Sequence, residues 1–127
     1  LMDVDHLGET NRLYGRDVGD DILRMVGQTL LYNARPFDLV GRWKEGTFLA
    51  VVLSVERREL AKVAHRFQSL VAASTLPLED GAQVAASVSV GASVAKWGDS
   101  VAEILSIVDS MLKQSKRMGR NRVTVGG

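Results

Sequence analysis

The chain contains no cysteine. Disulfides and thiolate metal centres are therefore excluded, and a reducing compartment fits. No apolar run approaches the roughly 18–20 residues of a membrane span, and no charged-then-apolar segment opens the chain. These residues are expected to be soluble and cytoplasmic, with no membrane contact of their own. Net charge is also scarce, at +1 over 127 residues. Composition thus gives no reason to expect nucleic acid or an anionic membrane as partner, and any anion site must be local. Aromatic residues make up 6%. Trp43 is expected to pack against a sheet and Trp97 to close a strand end; neither has the aromatic company of a base-stacking platform. His6 and His65 stand isolated and are assigned no function. Internal repeats, low-complexity tracts and linkers are absent.

What remains is an ordinary globular composition, 46% apolar and 24% charged, in a length that predicts one domain around one core. The opening residues, Leu1 to His6, alternate apolar and polar. On a strand this puts Asp3 and Asp5 on one face and Met2 and Val4 on the other. The abrupt start suggests a piece of a longer protein. A polar stretch from Gly8 to Gly15 leads to Asp17, read as an N-cap with Asp20 three residues on. Ile22, Leu23, Val26, Leu30 and Leu31 then repeat at helical spacing, predicting a helix over 17–33. Pro36 favours a turn in Arg35–Asp38.

Two apolar runs, Leu39–Val40 and Leu49–Leu53, bracket the charged, glycine-containing stretch Arg42–Phe48. The pattern reads as a β-hairpin with a projecting tip. Leu60, Val63, Ala64, Phe67, Leu70 and Val71 predict a helix over 56–73. A period of two from Val84 to Val94 predicts a strand of some eleven residues, with smaller side chains on one face. Ser100 and Glu103 read as a capping box opening a helix with the stripe Val101, Ile104, Leu105, Val108 and Leu112. That helix ends in a cationic segment stopped at Gly119, and Val123–Val125 is a last short strand. A hairpin is antiparallel, so a purely parallel sheet is excluded. The expected fold is α+β: a central mixed, largely antiparallel sheet of about five strands covered by helices.

Three stretches resemble one family. DVDHLGETNRLYGRDVGD, from Asp3 to Asp20, is similar to the pattern D-x-D-x-F-K-x-x-N-D-x-x-G-H-x-x-G-D of GGDEF domains, the diguanylate cyclases of bacterial cyclic-di-GMP signalling. Ser87–Gly91 resembles their strand ending S-x-G. The stretch from Asp109 to Asn121 resembles A-D-x-A-L-Y-x-A-K-x-x-G-R-N. The likeness covers nearly the whole of 1–127, read as a single degenerate GGDEF domain that lacks its N-terminal start and belongs to a larger protein. It implies a nucleotide-cyclase, palm-like fold with the hairpin at the signature motif.

The signature itself falls on Lys44, Glu45, Gly46, Thr47 and Phe48, and only the phenylalanine is kept. The resemblance implies one metal carboxylate at Asp3 and a second at the position of Gly46. Phosphoryl transfer rests on positioning and on metal ions that neutralise phosphate charge, so losing a carboxylate weakens metal and nucleotide binding together. Lys44 and Glu45 add side chains where glycines would admit a nucleotide, and Thr47 replaces an acid. Glu45 lies one residue out of register and is not accepted as a substitute ligand. No catalytic residues are assigned, cyclase activity is expected to be lost, no cofactor is required, and Mg²⁺ could be retained only at Asp3.

The resemblance implies residual guanine contacts from Asn11 and Asp20 and triphosphate contacts from Lys116 and Arg120. The family's lysine after the aspartates is Gly8 here, and the aspartate after Asn11 is Arg12. Five residues before the signature, Arg35 and Asp38 match R-x-x-D, the family's inhibitory product site, with Arg66 as a further arginine. An arginine fork suits guanine O6 and N7 or phosphate, and an aspartate can accept from the guanine N–H edge. The expected function is a catalytically inactive regulatory domain binding cyclic-di-GMP at Arg35, Asp38 and Arg66. The alternatives are a nucleotide-free dimerisation or docking module, as a homodimer or against other domains of the same protein, and a GTP-binding domain without turnover.

Overall fold

A computed structural model describes residues 1–53 and 55–126. The central sheet has five strands in the order β2-β3-β1-β6-β7. They are β1 (Met2–Val4), β2 (Leu39–Lys44), β3 (Thr47–Val51), β6 (Val88–Ala92) and β7 (Val123–Val125). All neighbours run antiparallel except β6 and β7, so the sheet is mixed and largely antiparallel, as expected. A separate two-stranded ribbon pairs β4 (Thr75–Pro77) with β5 (Gln83–Ala85). The helices are α1 (Leu7–Tyr14), α2 (Arg16–Asn33), α3 (Arg57–Ala72) and α4 (Val101–Arg117).

Alternation along β1 sends Met2 and Val4 into the core with Ile22, Leu23, Val26 and Leu30 of α2 and Ala64, Phe67 and Val71 of α3. It leaves Asp3 on the opposite face, beside the end of α4. On β6 the larger Val88 and Val90 join that core, while Gly91 meets α4. A Cβ at Gly91 would stand 2.3 Å from the Leu112 nitrogen and the Val108 oxygen. Only glycine admits the α4 backbone this closely. Ser115 then ties α4 to the sheet, its Oγ donating to the Val90 carbonyl at 2.8 Å.

Several expectations are corrected. Residues 84–94 form two strands, not one, because 83–85 pair with β4 and 88–92 with β1 and β7. Periodicity records burial but is blind to a change of partner. Helix α1 lies within the stretch read only as polar, and Gly15 separates it from α2 with φ of 92°. Asp17 consequently sits in the first turn of α2 rather than at its N-cap, which is Gly15. Leu31 and Val101, placed in apolar stripes, are exposed. Glu56 caps α3 through a reciprocal box with Glu59, whereas Ser100 accepts from the Glu103 amide. Trp43 is 45% exposed and Trp97 wholly so. Trp43 lies on an edge strand, and Trp97 in a turn closed by the Asp99 amide donating to the Lys96 carbonyl and the Lys96 amide donating to the Asp99 carboxylate.

Candidate functional site

The sheet brings two groups of predicted residues together, at different places. Asp3, Asn11, Lys116 and Arg120 line one cleft of about 430 Å³, with His6, Leu7, Gly8, Glu45 and Gly46. Register places it, because Asp3 pairs with Thr47 of β3 and with Ser89 of β6. The Val4 amide donates to the Gly46 carbonyl at 2.8 Å, drawing the hairpin tip across the end of β1.

Asp3 and Asp5, expected side by side, do different work. Asp3 forms an ion pair with Lys116 through Oδ2 and accepts from Thr47 Oγ1 at 3.3 Å through Oδ1. Asp5 is 7% exposed. It accepts from Ser87 Oγ at 2.7 Å, Ser89 Oγ at 2.5 Å and the Asn121 amide at 3.0 Å, with Arg120 Nη1 3.9 Å away. A buried carboxylate needs such partners, and these anchor the left-handed turn of Arg120 (φ 65°) and Asn121 (φ 48°). Sequence reading missed this role. The serines at 87 and 89, two apart on the small-residue face, were the available signal.

A Cβ at Gly46 would stand 3.7 Å from Asp3 Oδ1 and 3.1 Å from Leu7 Cδ2, at φ of 78°. The position therefore faces Asp3 and presents no ligand. Glu45 lines the cleft but is strongly exposed, with its carboxylate 3.5 Å from Arg16 Nη2. Among the described residues no three His, Cys, Asp or Glu side chains come together as a metal-binding set. Asp3 is already paired to a lysine, and Gly46, the position facing it, adds no second carboxylate for Mg²⁺. Asn11 is pressed onto α2, where a Cβ at Gly19 would collide with its Oδ1 at 1.6 Å. That oxygen is buried without a hydrogen-bond partner. Asp20 is exposed and does not line the cleft.

The second group sits at the end of α2. Arg35 donates from Nε to Asp38 Oδ2 at 2.8 Å, and from Nη2 to Asp38 Oδ1 at 3.0 Å and the Leu53 carbonyl at 2.6 Å. The Leu53 amide donates to Asp38 Oδ1 at 3.1 Å. Asp38's side chain is 2% exposed and Arg35's 46%. The Arg35 hydrogen bond holds the Asp38 carboxyl below its ordinary pKa, and Asp38 raises that of Arg35. Leu53, closing this turn through its backbone, was invisible to a side-chain pattern. Arg66 is exposed on α3, with Nη2 3.4 Å from Asn33 Oδ1, two residues before Arg35. His65 and Arg66 also line a shallow groove with Arg57, Arg58 and Lys62.

Comparison with known proteins points one way. The family described as "Diguanylate cyclase, GGDEF domain" matches residues 1–122. Diguanylate cyclase DosC of Escherichia coli (strain K12) is 34% identical over 123 residues, covering 97% of this chain and 27% of that protein. Response regulator PleD of Caulobacter vibrioides is 29% identical over 125 residues, covering 97% and 28%. The chain thus spans between about a quarter and a third of the length of the curated relatives it matches. Among solved structures, the GGDEF domain of DgcB from Caulobacter crescentus in complex with c-di-GMP superposes with a TM-score of 0.91 at 28% identity, covering 98% of this chain and 74% of that one. Diguanylate cyclase SiaD from Pseudomonas aeruginosa, in complex with its activator SiaC, shares the fold with a TM-score of 0.94 at 24% identity, covering 98% and 48%.

Proposed function

This chain belongs to the diguanylate cyclase GGDEF-domain family of cyclic-di-GMP signalling, and from that membership we propose a non-cyclising receptor that binds cyclic-di-GMP at Arg35. The observation that carries the reading is the locked turn. Three hydrogen bonds fix the Arg35 guanidinium while leaving it nearly half exposed. Those bonds use Nε and Nη2, so the two Nη1 donors are the ones left to engage a guanine edge or a phosphate, and a group fixed before binding loses little freedom in doing so. Asp38, buried beneath it, serves as its positioning residue, and Arg66 lies beside the same end of α2. The solved DgcB domain with c-di-GMP is a relative of the same fold.

The relatives' names point to cyclases, so inactivity rests on this chain's own cleft. Gly46 offers no carboxylate opposite Asp3, and Lys116 already neutralises Asp3. The purified domain supplied with GTP and Mg²⁺ is expected to make no cyclic-di-GMP above a protein-free control; product would overturn the inactivity. Calorimetric titration tests the receptor. Cyclic-di-GMP should bind at tens of micromolar or tighter, and Arg35→Ala should weaken binding about tenfold, the size of one charge-assisted contact. No heat, or unchanged affinity in that variant, would remove the reading.

A second reading, a docking or dimerisation module within a larger polypeptide, is favoured by the bare outer face of the hairpin. Leu39, Trp43 and Val51 are exposed there, beyond the reach of α4, which packs on β6 and β7. It gains ground if calorimetry is silent and sedimentation shows a dimer.

A further inference from the structure

We infer that the cleft between β1, the hairpin tip and the end of α4 takes phosphate groups without a divalent cation, the Lys116 ammonium supplying positive charge beside Asp3. Among the described residues, Asp3 and Glu45 are the carboxylates that line the cleft, and Asp3 is already tied to Lys116 and Thr47. Asp5 is saturated by two serines and a backbone amide, and Glu45 leans out to Arg16. A metal ion would have to evict Lys116 from Asp3, and would gain no second ligand from Gly46. Mg²⁺ sheds water reluctantly and gains little from such an exchange.

The lysine is better placed for phosphate than for helix capping. Its ammonium reaches across to β1, not back to the last carbonyls of α4, and an ammonium has three donors. One engages Asp3, and two can face an anion in the cleft. Arg120 enters the same cleft from a backbone fixed at two points: its own amide donates to the Ser115 carbonyl at 3.0 Å, and the next amide to Asp5. Lys116 from the last turn of α4 and Arg120 from the turn after it, its Nη1 3.9 Å from Asp5, thus bring two cations to one cleft, a pairing suited to phosphate. At about 430 Å³ the space matches ordinary small-ligand pockets.

This inference extends the non-cyclising reading of the cleft and is independent of cyclic-di-GMP at Arg35, which lines no part of it. The test is calorimetry of the intact domain with GTP and with inorganic tripolyphosphate, in EDTA and in excess Mg²⁺. Both probes should bind at least as tightly in EDTA. Lys116→Ala should weaken binding about tenfold. Asp3→Asn should strengthen it, because the competing anion is removed; a metal-dependent site would respond to that change in the opposite direction. Binding that tightens with Mg²⁺, binding that is lost in Asp3→Asn, or no binding in either buffer would overturn the inference. The EDTA comparison uses the unmodified protein, so the test does not depend on a variant folding. Cyclic-di-GMP product formed from GTP would instead sink the non-cyclising reading itself, whatever the binding data.

Discussion

At Asp38 the carboxylate is spent on holding an arginine. Its side chain is buried under Arg35, and hydrogen bonding from that guanidinium, its largest influence, depresses the carboxyl pKa. A depressed folded-state pKa means the charged form is favoured by folding. The contribution is therefore complete above the unfolded carboxylate value of about 3.9, and is lost as pH falls through the lower folded value. Cyclic-di-GMP affinity should thus be flat from about pH 5 to pH 8 as far as this turn is concerned, and Asp38→Asn should weaken it at neutral pH by loosening Arg35. Titration calorimetry across that range checks both, and a carboxylate-like step near pH 5 to 6 that vanishes in Asp38→Asn would contradict them. The R-x-x-D spacing was readable in the sequence, but the division of labour inside it was not, because the closing partner is the backbone of Leu53. The same limit applies at Asp3 and Asp5. Alternation puts both on one face, yet only the tertiary neighbours decide that one meets Lys116 and the other two serines.

Among the elements, β6 and α4 meet backbone to backbone at Gly91. Gly91→Ala would drive a methyl group into the Val108 carbonyl and the Leu112 amide, backbone atoms that yield only if the helix shifts. We expect a loss of about 3 kcal/mol, in the upper range for overpacking, read as a lower urea midpoint with an unchanged slope. A loss below about 1 kcal/mol would mean that α4 settles elsewhere at little cost. Helices α2, α3 and α4 were readable because each carries an apolar stripe. Helix α1 was not, since its eight residues bury no side chain fully, and the pair β4 and β5 is too short to set a period against its surroundings. The final α4 turn and β7 were readable as elements, but the left-handed pair Arg120 and Asn121 was not. Nothing local demands φ above zero there; the pull of the buried Asp5 does.

Over the whole molecule, helices cover the sheet unevenly. Helices α2 and α3 close one face, and α4 closes only the β6 and β7 side of the other. This explains why both tryptophans misled: an aromatic residue in a short domain is usually core, but Trp43 lies on the uncovered hairpin and Trp97 on a solvent-facing turn. Trp97→Phe should leave stability within about 0.5 kcal/mol, measured by circular dichroism in urea, and native tryptophan emission should already be close to that of the unfolded chain. A large blue-shifted native signal would show that something covers these residues in solution. The α+β architecture itself was readable from the hairpin and the helix stripes together.

The strand directions have one more consequence, which concerns wiring. Residue 1 and residue 126 both hydrogen-bond beside Gly91 and Ala92, on opposite flanks of β6, so they emerge from the same rim of the sheet. Arg57 donates to the Val125 and Gly126 carbonyls there, just after the hairpin strand that leads back to Leu53 and the Arg35 turn. The cleft, at the far end of β1 beside Gly46, occupies the opposite rim. Any segment joined to either end therefore starts out on the rim that carries the Arg35 turn, with the three residues of β1 between it and the hairpin tip at Gly46.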